Sequence, residues 1–107
     1  MSTDELLAVL DMPEDEQLIW CAKNAGLDLL DATLADLAFR LRDEAVWHIS
    51  DEAIPHWENA LKKIYVHLFS CLEPETEYAE KVMWRWWFES AKPIHIIIAA
   101  LIAKEKQ

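Results

Sequence analysis

Apolar residues recur along this chain at the three- and four-residue spacing of amphipathic helices. Between residues 33 and 49 they form one stripe of Leu34, Leu37, Ala38, Leu41 and Ala45. A second stripe between residues 55 and 72 consists of Trp57, Leu61, Ile64, Leu68, Cys71 and Leu72. A period near 3.6 residues places each stripe on one face of a helix. The pattern therefore predicts helices at both places.

Start and stop signals divide the chain into six predicted helices. The start signals are Ser2 with Glu5, Asp11 with Pro13, Thr33 with Asp36, Ser50 with Pro55, Glu73 with Pro74, and Lys92 with Pro93. Gly26 is a typical C-terminal stop. The first helix ends near Leu10, and the others cover about residues 13–25, 33–49, 55–72, 74–90 and 93–105. Their connections are short, which favours a single all-α domain over residues 1–107, a compact bundle of five or six helices.

The segment from 94 to 98 allows a second interpretation. Its isoleucines are β-branched and would also suit a short strand. Pro93 at a first helical position and the alanine-rich residues that follow favour a helix. We therefore predict a helix here and leave the strand as the alternative.

The last two predicted helices carry more apolar surface than a small core easily covers. Residues 82–88 are apolar over about two-thirds of the helix circumference, and residues 94–103 are apolar all round except at His95. Such helices are buried or lie in an interface. They form either the central hairpin of one core or, in part, a dimer seam or partner groove. The self-association candidates are Trp84, Trp86, Trp87 and Ile97.

Charge divides the chain into two unlike halves. Residues 1–53 hold thirteen acids and three bases, whereas residues 54–107 hold seven of each, so the net charge of −10 belongs to the first half. An acidic surface repels nucleic acid and attracts basic protein surfaces. The first half is therefore predicted to be an acidic protein-binding surface, and the aromatic-rich second half the neutral body of the domain.

Two tryptophans are predicted to stand on polar faces of the acidic half. Trp20 lies opposite the apolar face of Leu18 and Cys21, and Trp47 lies opposite that of the third helix. Tryptophans that are surrounded by charged residues resemble the hot spots of binding surfaces. Each ring could instead lie flat against a neighbouring helix. The partner-binding candidates are Trp20, Trp47, Asp28, Asp31, Asp36, Asp43 and Glu44.

Residue patterns typical of enzymes and metal sites are missing from the sequence. One glycine cannot form a phosphate-binding glycine-rich loop, and the serines lie in no nucleophile elbow. His67 and Cys71 have ligand spacing, yet no second pair accompanies them, so a hydrogen-bonded histidine at the edge of the core is expected. We predict no catalysis, no cofactor and no metal.

Two cysteines are too few for a disulfide scaffold, and both thiols are expected to be reduced and buried. The N-terminus lacks a signal-peptide pattern, and the longest apolar run is about half of what a bilayer needs. These features predict a cytoplasmic protein with no membrane contact.

Two segments resemble small bacteriophage- and prophage-encoded proteins. They are residues 91–104, which read AKPIHIIIAALIAK, and residues 34–45, which read LADLAFRLRDEA. The resemblance implies an accessory protein that acts in the cytoplasm of a bacterial host. Small acidic proteins of this class often block host machines, including CRISPR complexes and other defence nucleases, and the resemblance carries no site residues with it.

The leading hypothesis is a non-catalytic inhibitor that binds a basic, nucleic-acid-binding surface of a host protein through its acidic half. The alternative is a structural or assembly protein that self-associates, as a homodimer for example, through its aromatic half, with the acids only keeping it soluble. Sequence leaves open the partner, the oligomeric state, and whether the acidic face imitates a nucleic-acid backbone.

Overall fold

The computed structural model describes residues 2–26, 33–46 and 53–105. Their regular secondary structure is entirely helical, which confirms the all-α prediction and the helix over 94–98. The six helices are α1 Thr3–Val9, α2 Glu14–Asn24, α3 Leu34–Val46, α4 Ala53–Phe69, α5 Glu77–Glu89 and α6 Pro93–Glu105. No helix in these ranges is both long and apolar enough to cross a bilayer.

Two of the predicted helix starts are confirmed at atomic detail. The Ser2 Oγ accepts a hydrogen bond from the Glu5 backbone N–H at 3.2 Å, which satisfies one free donor at the start of α1. At the start of α3, the Thr33 Oγ1 accepts from the Asp36 N–H at 3.2 Å, and an Asp36 carboxylate oxygen accepts from the Thr33 N–H at 3.4 Å. This reciprocal arrangement is a capping box.

The end of α2 confirms another prediction. Gly26 follows α2 with a φ of +77°, the left-handed conformation that favours glycine. A side chain at this position would be strained. The glycine therefore ends α2 as the sequence predicts.

Other boundaries differ from prediction because a different residue takes the capping role. Pro13, not Asp11, is the N-cap of α2. Helix α4 begins at Ala53, so Pro55 lies inside its first turn, where a missing N–H costs nothing. It ends at Phe69 because Ser70 has a φ of +50°. Helix α5 starts only at Glu77, where the Thr76 hydroxyl accepts from the Ala79 N–H at 3.1 Å.

The core is centred on α6. Helices α3 and α4 pack closely against it, with α1 beside them, whereas α2 and α5 have few close backbone approaches to the other helices. A helix that is apolar on every side exposes the least apolar surface to water when it occupies the centre of the core. The fully buried residues of α6 include Ile97, Ile98, Ala99, Ala100, Ile102 and Ala103. Its alanines are small enough to allow close approach of the neighbouring helices.

The expected central hairpin of α5 and α6 is therefore only half right. Helix α5 lies further out and buries Met83 completely, while Tyr78 and Phe88 are 79 % and 87 % exposed. An isoleucine- and alanine-rich helix can be enclosed on every side more easily than one that carries three tryptophans.

Candidate protein-binding surface

Acidic side chains dominate the surface of α1 and α2. Residues 2–26 contain six acids and one base, and all six acids are exposed: Asp4, Glu5, Asp11, Glu14, Asp15 and Glu16. Three of them occupy the first turn of α2, where the positive end of the helix dipole favours negative charge. The single base, Lys23, lies in the last turn of α2. The first turn of α2 is thus a concentrated patch of negative charge.

Two large apolar side chains lie beside this charge. Leu18 is 38 % exposed and Ile19 is 50 % exposed on α2. Both are three or four residues beyond Asp15, which places them on the same side of the helix. The acidic face of α2 therefore offers apolar contact area as well as charge.

The inward face of α2 is only partly the predicted one, because Cys21 is buried as expected and Leu18 is not. Leu18 was expected to face the core, yet Gln17 and Cys21 are the buried residues of this helix. The Gln17 side-chain amide donates to the carbonyl oxygens of Val9 at 3.1 Å and Leu10 at 3.4 Å. Those carbonyls end α1 and need partners once buried. The Val9 carbonyl also accepts from the Met12 N–H at 3.1 Å, so Gln17 gives it a second donor and adds a donor for the Leu10 carbonyl. With Gln17 facing inward, Leu18 faces outward.

A cleft of about 1140 Å³ borders the acidic face. Its walls include Glu14, Asp15 and Leu18 of α2, Leu34 of α3, and His95 of α6. The cleft lies near the starts of three helices, and its walls combine apolar side chains with two carboxylates and one cation, Lys92. The cleft therefore offers a partner both apolar contact area and charged groups.

Trp20, predicted as an exposed anchor, is half-buried and packs against the core. This is the alternative arrangement, in which the ring lies against neighbouring helices. It follows from the orientation that Gln17 imposes, because residues 17, 20 and 21 share one side of α2. Leu18 and Ile19 are therefore better placed than Trp20 to contact a partner.

The remaining predicted partner-binding residues are distributed unevenly. Trp47, Asp28 and Asp31 lie outside the described residues, as does the side chain of Glu44. Asp36 is exposed but serves the α3 capping box, and Asp43 pairs with Arg42 at 3.6 Å. The described part of the acidic surface is thus carried by α1 and α2 more than by α3.

The predicted self-association residues divide into three environments. Ile97 is completely buried in the core of its own chain, so it cannot contact a second copy, and that prediction is wrong. Trp84 and Trp87 are half-buried and pack against the same core. Trp86 joins a cluster of aromatic rings, with centroids 5.8 Å from Tyr65 and 5.4 Å from Phe69. Self-association through the three half-buried tryptophans stays a prediction.

The two thiols and His67 belong to no candidate group of metal ligands among the described residues. No group of three or more His, Cys, Asp or Glu side chains suited to a metal occurs in the ranges that the structure describes. Cys71 is exposed, contrary to prediction, because α4 ends before it; Cys21 is buried, and burial raises the pKa of its thiol to about 11. His67 contacts the Asp11 carboxylate through Nε2 at 3.1 Å, which confirms a hydrogen-bonded histidine at the core edge.

His95 caps α6 from inside the cleft wall. Its Nδ1 accepts a hydrogen bond from the Lys92 backbone N–H at 3.0 Å, the role that a glutamate or glutamine plays in a capping box. Burial, helped by the positive charge of Lys92, lowers the pKa of His95 from 6.5 to about 4. The accepting ring nitrogen must be unprotonated, so the neutral ring is the one that caps the helix.

Acidification is expected to destabilise the protein partly through His95. The unfolded chain takes up a proton near pH 6.5 and the folded one only near pH 4, so this stabilisation is present above pH 6.5 and is lost as the pH falls towards 4. From about pH 7 to about pH 4.5, His95→Gln should lose about 1 kcal/mol less unfolding free energy than the wild type, because solvent screening of the partly exposed ring reduces the effect. Glutamine can still cap and does not titrate. Urea unfolding at both pH values measures the difference, and parallel losses in the two proteins would contradict this role.

The site therefore combines an exposed acidic face, two exposed aliphatic side chains and an adjacent cleft. The resemblance to phage-encoded proteins stays an expectation from the sequence. Comparisons of this chain with protein-family models, with curated proteins and with solved structures found no match.

Proposed function

We propose that this protein is a non-catalytic inhibitor that binds a basic, nucleic-acid-binding surface of a partner protein through the acidic face of α2. The observation that carries the proposal is the first turn of α2. There Glu14, Asp15 and Glu16 are all exposed. Such a surface attracts the lysine and arginine side chains that otherwise hold phosphates.

Leu18 and Ile19 give this surface more than charge. Charge complementarity speeds association and selects the partner, while desolvated apolar contacts contribute most of the affinity. On α2 the two lie side by side. The resemblance to phage-encoded proteins makes host defence proteins that bind nucleic acid the first class to screen.

Neutralising the first turn of α2 is expected to weaken partner binding about tenfold at low salt and to make binding less sensitive to salt. The variant is Glu14→Gln, Asp15→Asn and Glu16→Gln combined. Partners are captured from bacterial lysate on the wild-type protein, purified, and measured by surface plasmon resonance at two salt concentrations. The purified partner should also release a labelled oligonucleotide when the wild-type protein is added.

A second triple variant separates a local surface from overall charge. Glu58→Gln, Glu77→Gln and Glu89→Gln remove the same charge from exposed positions in the neutral half. This variant should bind as the wild type does, within about twofold. Equal weakening by both triples would mean that the acids act only through net charge. Capture of partners indifferent to salt, or of none that bind nucleic acid, would overturn the proposal.

A further inference from the structure

A second apolar surface lies at the corner between α4 and α5. Its residues are distant in the sequence from those of the acidic face of α2. Four large hydrophobic side chains are exposed there, by 50 % at Phe69, 91 % at Leu72, 79 % at Tyr78 and 43 % at Val82. Isolated exposed hydrophobics are ordinary, but a group at one corner marks a binding surface. Nothing in the first proposal uses it.

The side chains at this corner enclose a groove. Tyr65 on α4, Leu72 in the loop, and Tyr78 and Val82 on α5 line a space of about 470 Å³, which we call the α4–α5 groove. Ala79 of α5 also lines it and leaves room between the larger groups. The groove is large enough to take several side chains of a bound segment.

The groove also carries negative charge that is not neutralised. Glu73 and Glu75 line it, and neither forms an ion pair within the described residues. The described lining contains no lysine or arginine. Of the nearby lysines, Lys62 pairs with Glu80 at 3.1 Å and Lys81 with Glu77 at 3.3 Å. Lys63 lies close to Glu73 in a neighbouring cleft but outside the groove lining, so Glu75 is the carboxylate of the groove with no lysine beside it in either lining.

We propose that the α4–α5 groove binds a basic amphipathic segment of a partner protein. The apolar side chains of that segment would cover Leu72, Tyr78 and Val82, and its lysines or arginines would meet the carboxylates of Glu73 and Glu75. A groove with apolar walls and acidic groups at its opening is complementary to a helix face that carries apolar and basic side chains. A second copy of this chain fits less well, because it carries a net charge of −10.

The extent of the apolar surface favours a chain segment over a small molecule. Beyond the groove, Phe69 continues the exposed strip, because its ring lies 4.8 Å from that of Tyr65 in the groove lining. A helical segment can cover several neighbouring side chains at once, whereas a small ligand would leave most of them uncovered. The proposal is independent of the one for α2, since it uses different residues.

Binding of a short amphipathic leucine–lysine peptide, labelled with fluorescein, tests the proposal on the full chain by fluorescence anisotropy. Leu72→Ala with Tyr78→Ala should weaken binding about tenfold, and Glu75→Gln about threefold. The controls are Phe88→Ala, equally exposed outside the groove lining, and Glu16→Gln on α2. Both controls should bind within about twofold of the wild type. Amide chemical-shift changes in the wild type should concentrate between residues 69 and 82.

Three outcomes would overturn the proposal. Equal weakening by Glu16→Gln and Glu75→Gln would show that the peptide senses only the overall negative charge. Binding unchanged by the Leu72→Ala, Tyr78→Ala double variant would exclude the groove. A wild-type dimer in sedimentation analysis that this double variant converts to monomer would show that a second copy occupies the groove. Because α2 remains intact in the double variant, loss of peptide binding here leaves the test of the acidic face unaffected.

Discussion

Replacing Ile98 by alanine is expected to lower the free energy of unfolding by about 3 kcal/mol. Ile98 is completely buried at the centre of the helix on which α3 and α4 pack. Removing its larger side chain forfeits the transfer free energy of the lost carbons and leaves a cavity that rigid neighbours fill only in part. Urea unfolding followed by circular dichroism measures the change.

The matched control is the same substitution at Ile19. This side chain is 50 % exposed, so Ile19→Ala should cost less than about 1 kcal/mol. The difference between the two isoleucines tests the central position of α6. Similar small costs at both sites would contradict it, because a peripheral helix tolerates such a truncation.

Trp86→Ala is expected to cost a similar amount, about 3 kcal/mol, by a different route. Trp86 contacts the rings of Tyr65 and Phe69 on α4, Trp87 on α5, and His95 on α6, at centroid distances between 5.0 and 5.8 Å. Helix α5 has few close backbone approaches to other helices, so these rings form much of its attachment. Aromatic pairs add to the free energy gained from burial alone.

Phe88→Ala is the control for Trp86 and should change stability by less than about 0.5 kcal/mol. Phe88 is 87 % exposed near the end of the same helix. Unfolding curves of the two variants, recorded together, measure both effects. If Trp86→Ala proves as mild as Phe88→Ala, α5 is held by contacts other than the aromatic cluster.

The difference between Trp86 and Phe88 also determines which variant is suited to a test of self-association. A change in oligomeric state in Trp86→Ala would mix loss of an interface with loosening of α5. Phe88 avoids that difficulty, because its ring is exposed. Light scattering of Phe88→Ala therefore reports on association through this end of α5 without altering the fold.

Local signals predicted the helices well because their causes are local. The Thr33–Asp36 capping box and the stop at Gly26 each depend on residues within one turn. The wholly apolar composition of residues 94–103 likewise indicates a buried helix, and α6 is the centre of the core. Such features require no knowledge of the other helices.

The candidate site was harder to predict because long-range polar contacts orient it. The Gln17 side chain donates to the carbonyls of Val9 and Leu10. Asp11, the predicted N-cap of α2, instead contacts His67, which lies 56 residues further along the chain. Hydrophobicity alone assigns a glutamine to the surface and a leucine to the core. The acidic character of α2 was therefore predictable, whereas its outward-facing pair of Leu18 and Ile19 was not.

The position of α6 has a consequence for biosynthesis. The helix on which α1, α3 and α4 pack follows all of them in the chain, so the ribosome makes it last among these elements. The core cannot close before residues 94–103 have left the exit tunnel, and until then the earlier helices lack the helix against which they pack most closely. The first 53 residues emerge with a charge of −10, and mutual repulsion between neighbouring nascent chains lowers their tendency to aggregate during that wait.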